Sequence, residues 1–263
     1  MNPPDEETLD LANRLADAAG AVIRPYFRQR LEIIDKGKSS FDPVTLADRE
    51  AEAAMREILR RERPEDGVLG EEHGAEAGRS RFRWVLDPID GTRAFITGRQ
   101  TFGTLIALEE DGNPVLGVID QPVLGERFIG FHGRAEFRSR DRIGALKTRL
   151  CRALADAIVS TTHPWDHFTT TERAGFESLC VGARMSTFGG DCYAYGLLAM
   201  GHIDLIIEAS LAPWDVAALI PIVENAGGVI TDWSGADVRE GGRIVAAGDP
   251  RVHAETLELL SRY

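Results

Sequence analysis

The apolar positions of the chain first follow a helical period. Leu9, Ala12, Leu15, Ala19, Val22, Ile23, Tyr26 and Phe27 recur every three or four residues with polar ones between, which predicts a helix over about 5–30. Pro25 near its end kinks or stops it. Residues 36–45 are polar and turn-rich, and read as a loop. A second helix begins at Thr45, with Asp48 in its first turn and Ala51, Ala54, Met55, Ile58 and Leu59 along it.

Shorter apolar runs then take over. Val68, Leu69 and Gly70 form a brief strand ending in Glu71 and Glu72. Trp84, Val85 and Leu86 form another, ending in Asp87, Pro88, Ile89, Asp90, Gly91 and Thr92. Pro88 cannot join a sheet ladder, so the strand is predicted to stop there, with both acids on a sharp turn. Strands over 103–108, 114–119 and 126–131, separated by Asp111-Gly112 and Leu124-Gly125, predict an antiparallel meander. Residues 133–152 are basic and little patterned, and read as a loop.

The remainder alternates strand and helix. A strand is predicted near 157–160, a helix near 171–179 and a turn over Phe188-Gly189-Gly190-Asp191-Cys192 that enters a helix running through Met200. A strand follows over 203–209, and Pro213-Trp214-Asp215 opens a helix stopped by Gly227 and Gly228. Strands over 229–232 and 244–247 precede a terminal helix from about Arg251. No repeat or low-complexity linker divides the chain, so 1–263 reads as one unit with halves 1–150 and 151–263, each mixing strands and helices.

Charge narrows the function classes. Lys and Arg total 30 against 42 Asp and Glu, a net charge of −12, which argues against binding a nucleic-acid backbone. A small anionic substrate stays open, because a bound cation reverses the local sign. Three cysteines without paired spacing suggest reduced thiols, no apolar run reaches membrane-span length, and the acidic start lacks signal-peptide character; cytoplasmic residence is expected.

Asp87 and Asp90 are the first candidate chemistry. Two carboxylates so close repel unless a cation lies between them. A hard divalent ion such as Mg²⁺ suits them, with the Ile89 carbonyl as a further ligand. The amides of Gly91 and Thr92 can take a phosphate oxygen if a helix starts at Thr92. By itself the pattern serves equally as a capped turn. Glu71 repeats the strand-to-acid layout, and Asp48 alone reads as a complement to its helix dipole.

Taken jointly, these stretches resemble the inositol monophosphatase superfamily. Its first signature is similar to residues 84–95, and its second to Trp214-Asp215-Val216-Ala217-Ala218 through Ala226-Gly227-Gly228. Gly70-Glu71-Glu72 and the stretch from Lys38 to Asp48 match in type and order. The resemblance implies an α/β fold layered as an αβαβα sandwich and a homodimer. It implies two or three Mg²⁺ ions, replaceable by Mn²⁺, on Glu71, Asp87, the Ile89 carbonyl, Asp90 and Asp215. It also implies that Asp48 and Thr92, with Glu71, activate the attacking water, and that Gly91 and Thr92 contact phosphate. No covalent nucleophile is then needed, since phosphoryl transfer depends mostly on positioning and charge neutralisation.

Within the superfamily, the run from Asp90 to Gly98, Phe102 to Ile106, Ile119 to Arg127, and Gly189-Gly190-Asp191-Cys192-Tyr193-Ala194-Tyr195-Gly196 most resemble the histidinol-phosphate phosphatase branch. Asp191 beside Gly190 offers a carboxylate to a cationic leaving group, and equally an N-cap to its own helix. Glu208 and Asp204 are further acidic candidates, and Arg184 either contacts substrate or pairs with a surface acid. His163, His167 and His202 read as surface or structural, because the histidines have no metal-ligand spacing. The rival readings are a myo-inositol monophosphatase, a broad sugar-phosphate or nucleotide phosphatase, and a non-catalytic binding protein on the same scaffold. A haloacid-dehalogenase-type site is disfavoured, because Pro88 stands where its nucleophile belongs.

Overall fold

A computed structural model describes residues 5–30, 33–35 and 43–263. Helix α1 (Glu6–Tyr26) starts on Asp5, whose carboxylate accepts from Thr8 N at 3.1 Å while the Thr8 hydroxyl accepts from Asp5 N. It stops at Tyr26 rather than running to residue 30, since Pro25 sits in its last turn and has no N–H for the ladder. Helix α2 (Leu46–Glu62) starts on Thr45, with Asp48 completing a capping box. Of the predicted 36–45 loop, residues 36–42, including Lys38, Ser39 and Ser40, lie outside the described residues; β1 (Ile34–Asp35) and β2 (Pro43–Val44) flank them and pair antiparallel.

The larger sheet holds β3 (Gly67–Gly70), β4 (Gly74–Glu76), β5 (Phe82–Asp90), β6 (Gly103–Glu110), β7 (Asn113–Gln121), β8 (Glu126–Phe131), β9 (Arg134–Arg138) and β10 (Ile143–Ala145). Its spatial order is β10-β9-β8-β7-β6-β5-β3-β4, an antiparallel meander from β5 to β10 with β3 parallel to β5. The meander expectation holds and extends further than predicted. Residues 133–152 are not all loop: Ala135 and Phe137 turn inward between Arg134, Glu136 and Arg138, so β9 alternates over too short a run to stand out.

Strand β5 is also longer than expected, and does not end at Pro88. Asp87 pairs with Leu105 and Asp90 with Gly103, so the register slips between them. The slip is a β-bulge, a place where a strand tolerates proline's missing donor. Both acids therefore sit on the bulged end of a strand.

The smaller sheet holds β11 (Ile158–Thr161), β12 (Met185–Phe188), β13 (Leu205–Leu211), β14 (Val229–Thr231) and β15 (Gly242–Ala247), in the order β12-β11-β13-β15-β14. The remaining helices are α3 (Thr92–Ile96), α4 (Pro164–His167), α5 (Thr170–Gly182), α6 (Asp191–Ala199), α7 (Pro213–Val216), α8 (Leu219–Asn225) and α9 (Pro250–Leu260). The single helix predicted from Pro213 is divided in two, because Pro221 has no N–H to offer the Ala217 carbonyl.

The period-two alternation of the strands sets the layers. In β5 and β6, Trp84, Leu86, Ile106 and Leu108 pack with Leu11, Leu15, Met55 and Leu59 of α1 and α2. Their neighbours Val85, Leu105 and Ala107 face Leu198, Val216 and Ile222 on the opposite side. Those middle helices also meet Ile206, Ile244 and Ala246 of the second sheet. The far side of that sheet, Leu205, Ile207, Val245 and Ala247, packs on Phe176, Leu179, Val252 and Leu260 of α5 and α9. The result is the expected αβαβα sandwich.

Candidate metal and phosphate site

The C-terminal ends of β3 and β5 and the starts of α3, α6 and α7 converge on one cavity of about 600 Å³. Glu71, Asp87, Ile89, Asp90, Gly91 and Thr92 line it from the first half of the chain. Asp191, Glu208 and Asp215 line it from the second. Among the described residues, carboxylate oxygens of Asp87, Asp90 and Asp215 lie within 4.8 Å of one another. Asp215 is third in α7, where its carboxylate accepts from Ala212 N at 2.7 Å. Distant acids in the sequence thus meet in space.

The electrostatics ask for a cation. Burial pushes the Asp87 carboxyl well up, and the charges of Glu71, Asp90, Asp215 and Asp48 add to it. Asp90 rises for the same reason, burial first and then Asp215 and Asp191. Protein donors answer only part of this: Ile89 N donates to Asp87 at 3.0 Å, and Cys192 N to Asp90 at 2.7 Å. Converging oxygens with excess negative charge fit a hard divalent ion.

Glu71 is held by a device with no mark in the sequence. Glu52 of α2 is fully buried, and its carboxylate accepts from Glu72 N at 2.7 Å, His73 N at 3.2 Å and Arg56 Nε at 2.7 Å. Arg56 in turn donates to Gly74 O. A buried ion pair on α2 therefore clips the turn that carries Glu71. A Cβ at position 70 would overlap the Glu52 carboxylate, so a larger residue there would displace that carboxylate from the clip.

Beside the acids, α3 begins at Thr92, after Gly91 at φ 81°. That left-handed conformation favours glycine, and a Cβ there would stand 2.8 Å from Asp191 Cβ. Thr92 Oγ1 faces two acceptors, Ile89 O at 3.1 Å and Asp48 Oδ1 at 3.5 Å. The other Asp48 oxygen accepts from Thr45 N at 2.9 Å and Thr45 Oγ1 at 2.6 Å. Burial raises Asp48 to about 6, against the pull of Thr45.

The remaining acids sort clearly. Asp191 does not cap its helix: Gly190 holds that position, and Asp191, at φ 44°, accepts instead from Thr101 Oγ1 at 2.9 Å. Gly190 does not itself line the cavity. Glu208 is buried on β13, where Oε1 accepts from Thr162 N at 2.7 Å. Asp204 is bound instead to Arg149 and Ile158 N, away from the cavity. Arg184 is exposed and likewise lies outside the cavity lining.

Several lining residues carry no signal strong enough to be found by pattern. Arg93, Arg99, His163, Asp166 and His167 form the outer wall. His163 is exposed, as expected of a surface histidine, and both it and His167 border the cavity. Arg93 pairs with Asp166, and Arg99 donates to Gly189 O at 2.9 Å. Pro164 just inside a short helix was the available clue to α4. Cys192 is buried, which pushes its thiol well up and keeps it protonated.

Burial also raises Glu208 to about 8, opposed by the Thr162 bond. The folded chain then keeps a proton that the unfolded chain releases from pH 4.5 upward. Its contribution to stability is full below that range and declines until about pH 8. Glu208→Gln is expected to flatten the fall in metal-free Tm over this window; an unchanged slope in thermal melts contradicts the assignment.

The inositol monophosphatase family model matches residues 5–263. The chain is 44% identical over 261 residues to the chloroplastic bifunctional phosphatase IMPL2 of Arabidopsis thaliana, covering 95% of this chain and 74% of that one. It is 36% identical to a histidinol-phosphatase of Mycobacterium tuberculosis, covering 97% and 98%. Among solved structures, an inositol monophosphatase from Zymomonas mobilis superposes with a TM-score of 0.87 at 46% identity, covering 99% of this chain and all of that one.

Proposed function

The chain belongs to the inositol monophosphatase family and is a phosphatase of that family, and from this premise we propose that it hydrolyses L-histidinol phosphate with Mg²⁺. The carrying observation is a second group of acidic side chains in the cavity. Asp191, on a middle-layer helix, and Glu208, on the smaller sheet, line the same cavity as the Asp87, Asp90 and Asp215 carboxylates. A phosphorylated amino alcohol offers phosphate to one group and an ammonium to the other; a neutral polyol offers the second hydroxyl donors but no charge to meet.

Glu71, Asp87, the Ile89 carbonyl, Asp90 and Asp215 would hold the metal ions. Bound Mg²⁺ supplies charge neutralisation of the phosphoryl oxygens and a more acidic attacking water. The Thr92 hydroxyl, within 3.5 Å of Asp48 Oδ1, would donate to that carboxylate and accept from the attacking water. The backbone N–H groups of Gly91 and Thr92 would take phosphate oxygens. Burial raises the Asp191 carboxyl, opposed by its Thr101 bond and by Arg99 and Arg93, and an arriving ammonium would favour its charged form. An arriving cation also favours loss of the Glu208 proton, so binding becomes tighter as pH rises toward 8.

A second reading has its own support, because the Zymomonas mobilis neighbour is described as an inositol monophosphatase. Steady-state turnover of the two esters separates them. Purified protein with Mg²⁺ is expected to favour L-histidinol phosphate over myo-inositol 1-phosphate by ~10²-fold in kcat/KM, the scale set by an unpaired buried polar group. The reverse order replaces the first reading with the second.

A further inference from the structure

Asp191 holds a backbone conformation that is uncommon outside glycine. Its φ of 44° lies in the left-handed region, at the start of α6. Such a conformation persists only where the surroundings over-determine it. Here the restraints come from both halves of the chain. Asp191 N donates to Thr162 Oγ1 at 3.2 Å, and Gly189 N reaches the carbonyls of Thr161 and Thr162, both at 3.0 Å. The next amide, Cys192 N, donates to Asp90, and Arg99 donates to Gly189 O. These bonds fix the backbone of the turn. A single bond fixes the side chain: Thr101 Oγ1 donates to Asp191 Oδ2 at 2.9 Å.

That bond leaves the other carboxylate oxygen available. Asp191 is partly exposed and lines the cavity. Among the described residues no donor bonds its Oδ1, and that oxygen is not buried. Its place is known from Gly91, on which a Cβ would stand 3.1 Å from Oδ1. The open oxygen therefore lies beside the residue whose N–H is assigned to the phosphate. In a vicinal amino-alcohol phosphate the ammonium stands only two carbons from the ester oxygen, so it too must lie close to the phosphate. We propose that Thr101 is a positioning residue, which pins one oxygen of Asp191 so that the other meets the ammonium of such a substrate. Thr101 does not itself line the cavity, so its effect on substrate passes through Asp191. The assignment rests on the histidinol phosphate reading above.

Thr101→Val keeps the shape of the side chain and removes its donor. With Mg²⁺ saturating, KM for L-histidinol phosphate is expected to rise ~10-fold with little change in kcat, the scale of one hydrogen bond to a charged group. The deamino analogue of L-histidinol phosphate keeps the imidazole and lacks the ammonium. Its KM is expected to rise several-fold less, and Thr101→Ser is expected to restore the wild-type KM for L-histidinol phosphate. Equal rises on both esters, or no rise on either, overturn the role. A loss carried by kcat, or one that serine does not rescue, marks a structural contact and overturns it too. The wild-type arm separates the failures. A wild type that does not favour L-histidinol phosphate over its deamino analogue removes the pairing of Asp191 with ammonium, and this role with it. A wild-type preference that Thr101→Val retains in full removes this role alone.

Discussion

Asp87→Asn is expected to lower Mg²⁺-dependent phosphate release by ~10³-fold or more, and to make the metal-free protein more stable near pH 8. The two effects share one cause. Asp87 is buried, and Glu71, Asp90, Asp215 and Asp48 all oppose its charge. Without a cation, its folded pKa is raised, so its contribution to stability is lost as pH climbs from the ordinary carboxylate range through that raised value. Asparagine ends this titration. It keeps the shape of the side chain and an oxygen to accept from Ile89 N, which lies 3.0 Å from Asp87 Oδ1. What it cannot keep is the charge that balances a divalent ion. Mg²⁺ at a hundredfold excess over its Kd is expected to stabilise the wild type by about 2.7 kcal/mol. In the variant, that thermal shift should shrink sharply. Wild-type turnover by Asp87→Asn, measured as Mg²⁺-dependent phosphate release, refutes the metal assignment.

Gly130→Ala is expected to destabilise the fold by about 3 kcal/mol, with a fall in Tm of about 5–10 °C in calorimetry. Gly130 lies on β8 with the backbone of Pro221 and Ile222 directly over it, and an added Cβ would overlap both. Gly117 on β7 meets the Ala218 carbonyl in the same way. Helix α8 therefore rests on the sheet by backbone contact, with no side chain between that could change rotamer. Relief requires the helix to move. Asp215 precedes that helix by one short turn, so its carboxylate is expected to shift with it. The half-saturating Mg²⁺ concentration should rise together with the fall in Tm. A variant that melts with the wild type would show that α8 has room to retreat.

Elements with a sustained period were legible from sequence. The helices α1 and α2 and the strands of the meander bury one face or alternate over many residues, and each repeats its signal enough times to be read. Strand β9 and helix α4 give only one or two such repeats. Strand β5 was misjudged at Pro88 because a bulge suspends the ladder rule locally, and a bulge leaves no pattern in a single strand. Asp87 and Asp90 were nameable from residue type and spacing, whereas Asp48 and Asp215 were named only through the family resemblance. The supports of the site were not nameable: Glu52 reads as one more polar residue on a helix, and its burial depends on a turn folded over it from residues 71–74.

The order of apolar and polar residues determined most of the elements and a chain that mixes strands with helices. The joint resemblance of the acidic stretches to one family added the layered fold and the chemistry of cations and phosphate. Tertiary structure alone decided which acids meet. It placed Asp215 beside Asp87 and Asp90, sent Asp204 to Arg149, left Arg184 outside the cavity and tied Asp191 to Thr101. Periodicity is a local property of covalently linked neighbours, whereas repulsion, desolvation and hydrogen bonding depend on distances through space that only the packed layers define.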